Sequence, residues 1–224
     1  MSASSSDRPN VIFLMTDQQR WDALGAVNPR VKTPNLDALA ARGVRFENAV
    51  CNVPMCVPSR YSMMSGLYPS QIGVRHNTQM CPTDDDLPVP VLAQRLQRAG
   101  YQTAGFGKTH WYVGGRIMPD TPTVPSTRGF EVRAQARGLD PLRMEPDAVM
   151  MAADDPEAFE RLRAEKARHG PGGERAEGYT GETSAVPVED HQESWLTRQA
   201  LGFLEADRDP SRPLFLYLSF DFPH

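Results

Sequence analysis

Asn10-Val11-Ile12-Phe13-Leu14-Met15-Thr16 runs without a polar interruption into Asp17-Gln18. A segment that is apolar at consecutive positions must be buried on both faces, the condition met at the centre of a parallel sheet. Pro213-Leu-Phe-Leu-Tyr-Leu-Ser-Phe220 has the same character, and Tyr101 to Phe106 reads as a third strand. Helical patterns fill the intervals. Thr33 is placed as N-cap and Pro34 at N1 of a helix with Leu36, Leu39 and Ala40 as its apolar stripe and Gly43 as its stop. Val44 to Val50 reads as a short strand, Pro58 to Ser65 as a helix closed by Gly66, and Leu87 to Ala99 as a helix closed by Gly100. Glu193 to Ala206 is helical, with Trp195, Leu196, Ala200, Phe203 and Leu204 on one side. Alternation of strands and helices predicts an α/β fold with a mostly parallel central sheet flanked by helices.

Residues 112–190 break this rhythm. They are rich in Gly, Pro and charge, and read as a loop-rich insertion with one charged helix near Pro156–Arg168. Residues 1–9 are Ser-rich and polar and are expected to be a disordered tail. The chain stops at His224, close after a core strand, so a further C-terminal part of the 10–224 domain is expected beyond it.

Composition excludes several classes of function. In 224 residues, 40% are hydrophobic, which supplies a core and excludes global disorder. A net charge of −4 gives no footprint for nucleic acid or for an anionic membrane. No apolar run reaches the roughly 18–20 residues of a membrane span. The N-terminus has no apolar leader segment, so a cytoplasmic location is expected. Three cysteines, Cys51, Cys56 and Cys81, are too few and too odd for a disulfide framework.

Chemistry collects at strand ends. The strands end in Thr16-Asp17-Gln18, in Gly107-Lys108-Thr109-His110 and in Asp221-Phe222-Pro223-His224. Parallel strands present their carboxyl ends on one edge, where open α/β sheets bind ligands. Each signal alone is ordinary: an Asp after a strand is commonly a turn residue, and a lone His commonly structural. Their shared position points to a site. Cys56-Val57-Pro58-Ser59-Arg60 opens a helix, so the Cys has a helix N-terminus and an Arg at hand to stabilise negative charge.

Cys56-Val-Pro-Ser-Arg60, continued by Tyr-Ser-Met-Met-Ser-Gly66, resembles the signature of the formylglycine-dependent sulfatases. Asn10 to Gln18 resembles that family's first strand and metal ligands. Thr33 to Phe46 resembles its first helix and the strand after it. Gly107-Lys-Thr-His110 resembles its Gly-Lys-Trp-His, and Phe220-Asp-Phe-Pro-His224 its Pro-His segment. Five blocks in order cover most of the chain outside 112–190.

The resemblance implies an alkaline-phosphatase-like fold, apparently truncated, and hydrolysis of small-molecule sulfate esters. It implies that a formylglycine-generating enzyme converts Cys56 to an aldehyde, hydrated to a gem-diol. One hydroxyl attacks sulfur; deprotonation of the other expels sulfate, an exit that a cysteine thiolate lacks. Asp17, Gln18 and the Cys56-derived group would ligate a divalent cation, Ca²⁺ before Mg²⁺ or Mn²⁺. Arg60 would hold the formylglycine oxygens, and Lys108 the sulfate and the nucleophile. His110 would take the proton of the second hydroxyl, and His224 would contact the ester oxygen and protonate the leaving group. Asn77 stands where some relatives have a substrate-contacting Asn; a turn residue is the alternative.

The departures are specific. Gln18 stands where many sulfatases have a second Asp, which removes a negative charge from the metal shell. The family's later metal ligands have no counterpart here; Asp84-Asp85-Asp86 reads as helix-capping charge. Residues 1–224 alone are therefore expected to turn over no ester and to bind metal weakly. Two alternatives stand beside the arylsulfatase or choline-sulfatase reading. One is a phosphonate monoester hydrolase or phosphodiesterase of the same superfamily, towards which Gln18 and Asn77 pull. The other is a non-catalytic truncated relative.

Overall fold

The computed structural model of the chain describes residues 8–77, 82, 86–110, 112–113, 124–125, 128–134, 151, 154–169 and 183–223. Its centre is a four-stranded, fully parallel sheet in the order β1 (Val11–Met15), β6 (Leu214–Ser219), β2 (Gln102–Gly107), β5 (Val132–Ala134). A small antiparallel pair, β3 (Tyr112–Val113) and β4 (Val124–Pro125), stands apart. Within the stretch read as an insertion, β5 thus adds an edge to the main sheet, and α5 (Pro156–His169) forms the expected charged helix.

The Leu214–Ser219 run is a strand covered on both faces. Val11–Met15, expected to be the same, is an edge strand among the described residues, with Ile12 and Leu14 57% and 56% exposed because no described element packs on that face. Leu214, Leu216 and Leu218 pack with Ala104 and Phe106 against Trp195, Leu196 and Ala200 of helix α6 (Gln192–Gly202). Phe215 and Tyr217 point the other way, into Val57, Tyr61 and Met64 of α2 (Cys56–Ser65) and Ala93 of α4 (Leu92–Arg98). Phe13 stacks on Tyr217 with ring centroids 5.6 Å apart. Each such buried side chain contributes about 1.5–3 kcal/mol relative to exposure, so β6, buried at every position, is strongly anchored.

Register sets the site. Met15 lies beside Ser219, and Ser219 beside Gly107, in one row across three strands. Asp17, Asp221 and Lys108 therefore leave the sheet at the same level. Gly107 makes this approach sterically feasible: its φ is 85°, and a Cβ there would lie 1.9 Å from the Ser219 carbonyl oxygen.

Several elements differ from the sequence reading: α2 begins two residues earlier than Pro58, and α6 spans Gln192–Gly202 rather than Glu193–Ala206. Val44 to Val50 forms no strand; Val44, Phe46 and Val50 are 78%, 80% and 89% exposed. A β-favouring run needs a neighbouring strand to pair with, and none flanks it among the described residues. Helix α1 (Pro34–Arg42) forms where expected, yet no residue of it is buried. The helix expected from Leu87 begins only at Leu92, because Pro88 and Pro90 hold the residues before them away from helical geometry. A four-residue helix, α3 (Pro69–Ile72), completes the fold. Among the described residues, no helix is long and apolar enough to cross a membrane.

Candidate active site

The three strand ends converge on a buried cluster of four charges. Asp17 Oδ2 receives Arg60 at 2.9 Å and the Lys108 ammonium at 2.8 Å. Lys108 Nζ also lies 3.0 Å from Asp221 Oδ1. Two cations and two anions balance, which is what burial at this depth demands. Burial by itself raises the Asp17 carboxyl, but Lys108 and then Arg60 outweigh it and hold the group below its ordinary value.

Arg60 reaches the cluster from α2, one turn after Cys56. Its guanidinium is 1% exposed. Besides Asp17 it donates to Tyr217 Oη at 2.9 Å, to Ser219 Oγ at 3.0 Å and to the Lys108 carbonyl. Four acceptors around one fork lock α2 to the ends of β2 and β6. The resemblance assigned Arg60 to formylglycine oxygens; here its guanidinium is bound to Asp17 and the sheet.

Cys56 is half-buried at the first residue of α2, four residues before Arg60, so the two share one helix face. Met55, the N-cap residue, supplies no side-chain cap. That role falls to Asn77, whose Oδ1 accepts the Val57 N–H at 3.1 Å. Asn77 thus stands beside the Cys56 turn and is engaged through its carbonyl oxygen. Cys51 is exposed, with its Sγ 3.1 Å from the Val53 carbonyl and 3.4 Å from Ser59 Oγ.

Gln18 and His110 follow β1 and β2 with φ of 58° and 54°. A left-handed backbone at two non-glycine residues, both at the candidate site, stores about 1–3 kcal/mol each. Gln18 is exposed, and His110 is half-buried two residues after Lys108. His224, Cys81, Asp84 and Asp85 lie outside the described residues.

Several site residues carried no assigned role in the sequence. Asp221 stood in plain view at a strand end, where its position was the only signal. Tyr217 and Ser219 read as strand interior, and Gln192 lay just before the helix read from Glu193; nothing in their local pattern marks them. Gln192 Nε2 donates to Asp221 Oδ2 at 3.0 Å.

Asp17 and Gln18 offer hard oxygens, the donor type Ca²⁺, Mg²⁺ and Mn²⁺ take. Among the described residues, however, no group of three or more His, Cys, Asp or Glu is placed to hold a metal ion. The donors fit a hard cation in type and fall short of one in number.

The Sulfatase family model matches residues 9–224.

This chain belongs to the sulfatase family.

It is 31% identical to the choline-sulfatase of Rhizobium meliloti over 98% of its length, and 28% identical to an arylsulfatase of Clostridium perfringens over 97%. It spans 39% and 44% of those relatives. The phosphonate monoester hydrolase of Agrobacterium radiobacter superposes on 97% of the chain with a TM-score of 0.70 and 26% identity, the chain covering 41% of that structure. The fold is accordingly that of the alkaline-phosphatase-like sulfatases, and the chain spans less than half the length of these relatives.

Proposed function

We propose that this sulfatase chain is the N-terminal, nucleophile-bearing part of an enzyme that hydrolyses small sulfate esters of the aryl or choline type. The observation that carries the reading is the placement of Cys56-Val-Pro-Ser-Arg60: Cys56 opens α2 while Arg60, one turn on, is bound into the Asp17–Lys108 cluster. Formylglycine made from Cys56 would supply a hydrated aldehyde as nucleophile and a route for sulfate to leave. Lys108 then presents its ammonium to the ester's oxygens, where fixed positive charge offsets charge that develops during transfer. Arg60 holds Lys108's backbone and Asp17 in place. His110 and His224 are the proposed proton carriers, and Asn77 the proposed substrate contact through its amide nitrogen. Asp17 and Gln18 would supply part of the oxygen shell of a divalent cation, the remainder coming from the portion that the longer relatives possess.

A second reading, phosphonate monoester or phosphodiester hydrolysis, is favoured by Gln18 after Asp17 and by the likeness to the Agrobacterium structure. A rate comparison on an aryl sulfate and an aryl phosphonate monoester decides between them: a large excess on the phosphonate displaces the sulfatase reading. The first test is mass spectrometry of the tryptic peptide Phe46–Arg60 from the native source, with fragmentation to separate Cys51 from Cys56. Aldehyde at Cys56 supports the reading. An unmodified thiol in all molecules points instead to a non-catalytic relative.

A further inference from the structure

We propose that Asp221 and Gln192 are positioning residues that fix the Lys108 ammonium for the ester's transferred group; this rests on the hydrolase reading above. An ammonium on a four-carbon stem is a mobile point charge. It stabilises a transition state efficiently only if its place is set before reaction. An ammonium has three donors. One of Lys108's is taken by Asp17 Oδ2 at 2.8 Å and one by Asp221 Oδ1 at 3.0 Å. Among the described residues the third is left for an anion. Asp221 is held in turn: Gln192, 8% exposed in the first turn of α6, donates to its other oxygen at 3.0 Å. A line of contacts therefore runs from the helix on one face of the sheet, through Asp221, to the lysine at the strand ends.

Charge separates this role from simple substrate binding. Asp221 places a negative charge beside the spot where an anionic ester must sit. A residue serving affinity alone would be neutral or cationic there. Asp221 weakens anion attraction and gains placement of the lysine in exchange. Asp221→Asn should accordingly lower kcat while KM stays level or falls. Gln192→Met keeps the length and the charge balance but cannot donate, so it should lower kcat with KM unchanged.

The experiment uses the full-length enzyme. kcat and KM are measured for wild type, Asp221→Asn and Gln192→Met on an aryl sulfate and an aryl phosphonate ester. In parallel, proton–nitrogen spectra of the lysine ammonium groups are recorded, with Lys108→Arg identifying the signal. A fixed, ion-paired ammonium exchanges slowly with water and gives a sharp signal. The expected result is a fall in kcat of about ten- to a hundredfold for Asp221→Asn, the equivalent of one charge-assisted hydrogen bond. Gln192→Met should fall less, and both variants should lose the sharp Lys108 signal. Wild-type kcat in both variants, or a Lys108 signal that persists in Asp221→Asn, overturns the proposal. If wild type hydrolyses neither ester, the functional reading falls; the ammonium spectra still decide the positioning role, loss supporting it and persistence overturning it. If Asp221→Asn does not fold, Gln192→Met carries the same decision.

Discussion

The Arg60 guanidinium and the Asp17 carboxylate meet at 2.9 Å, one from the first turns of a helix, the other from the end of the edge strand β1. Both are buried, and Asp17 is shared with Lys108. The pair ties the helix that carries Cys56 to the strand ends that carry the other polar groups. Removing Arg60 leaves the cluster with two carboxylates, Asp17 and Asp221, sharing the Lys108 ammonium, an unbalanced buried charge. Arg60→Met is therefore expected to destabilise the protein by about 3–5 kcal/mol, read as a lower urea midpoint. A loss under about 1 kcal/mol, the level of an exposed ion pair, would contradict the burial of this contact.

Glu193 gives a pH dependence with a definite sign. Burial, foremost, raises its carboxyl above the ordinary 4.5; the charge on Asp221 adds to this, and backbone N–H groups of Glu193 and Phe222 offset it only in part. Among the described residues its buried Oε2 has no hydrogen-bond partner. A carboxyl whose folded value is raised stabilises the fold fully below the unfolded value, and that stability is lost as pH rises through the folded value. Unfolding measured from about pH 4 to pH 7 should show this slope in wild type, and Glu193→Gln should flatten it. Identical pH profiles for the two proteins would refute the assignment.

Gly107 is expected to tolerate no side chain. Its φ of 85° and the 1.9 Å approach of the Ser219 oxygen both oppose a Cβ. Gly107→Ala should destabilise by at least about 1–3 kcal/mol from the backbone alone and displace Lys108, whose N–H bonds the same Ser219 oxygen at 3.0 Å. Thermal unfolding tests the first effect, and ester turnover the second.

Asn77→Ala removes the acceptor on the second N–H of α2. The expected loss is about 0.5–2 kcal/mol, as for a missing helix cap. Asn77→Asp should retain the acceptor and most of the stability. Equal unfolding midpoints for Asn77→Ala and wild type would exclude the capping role.

The two described cysteines should behave oppositely in the full-length enzyme. Cys56→Ala is expected to abolish ester turnover, since it removes the proposed nucleophile's precursor. Cys51→Ala, at an exposed thiol 3.4 Å from Ser59 Oγ, should retain it. Retention in both variants would remove the formylglycine mechanism from consideration.

The sequence by itself determined β1, β2 and β6, the edge at which chemistry collects, and the family; β3, β4 and β5 lay in the stretch read as loop-rich. The apolar run Leu214–Ser219 is buried on both faces as its pattern requires, whereas Val11–Met15, with the same pattern, leaves Ile12 and Leu14 exposed on one face; parallel strands still place Asp17, Lys108 and Asp221 on one edge. The Cys56–Arg60 spacing marked the nucleophile helix because i and i+4 share a face. Local pattern misled where pairing or packing partners were needed: Val44–Val50 has the residues of a strand and no neighbour to bond to among the described residues. What only the tertiary structure decided is who partners whom. Arg60 closes on Asp17, Tyr217 and Ser219 across up to 159 residues of chain. Asn77 caps the N–H of Val57, twenty residues earlier in the chain, and Gln192 grips Asp221 from the far face of the sheet. Such contacts have no periodicity to betray them. They arise because burying a charge or an amide in a packed sheet edge is tolerated only where a complementary group arrives, and which group arrives is fixed by register and crossover, not by neighbours in sequence.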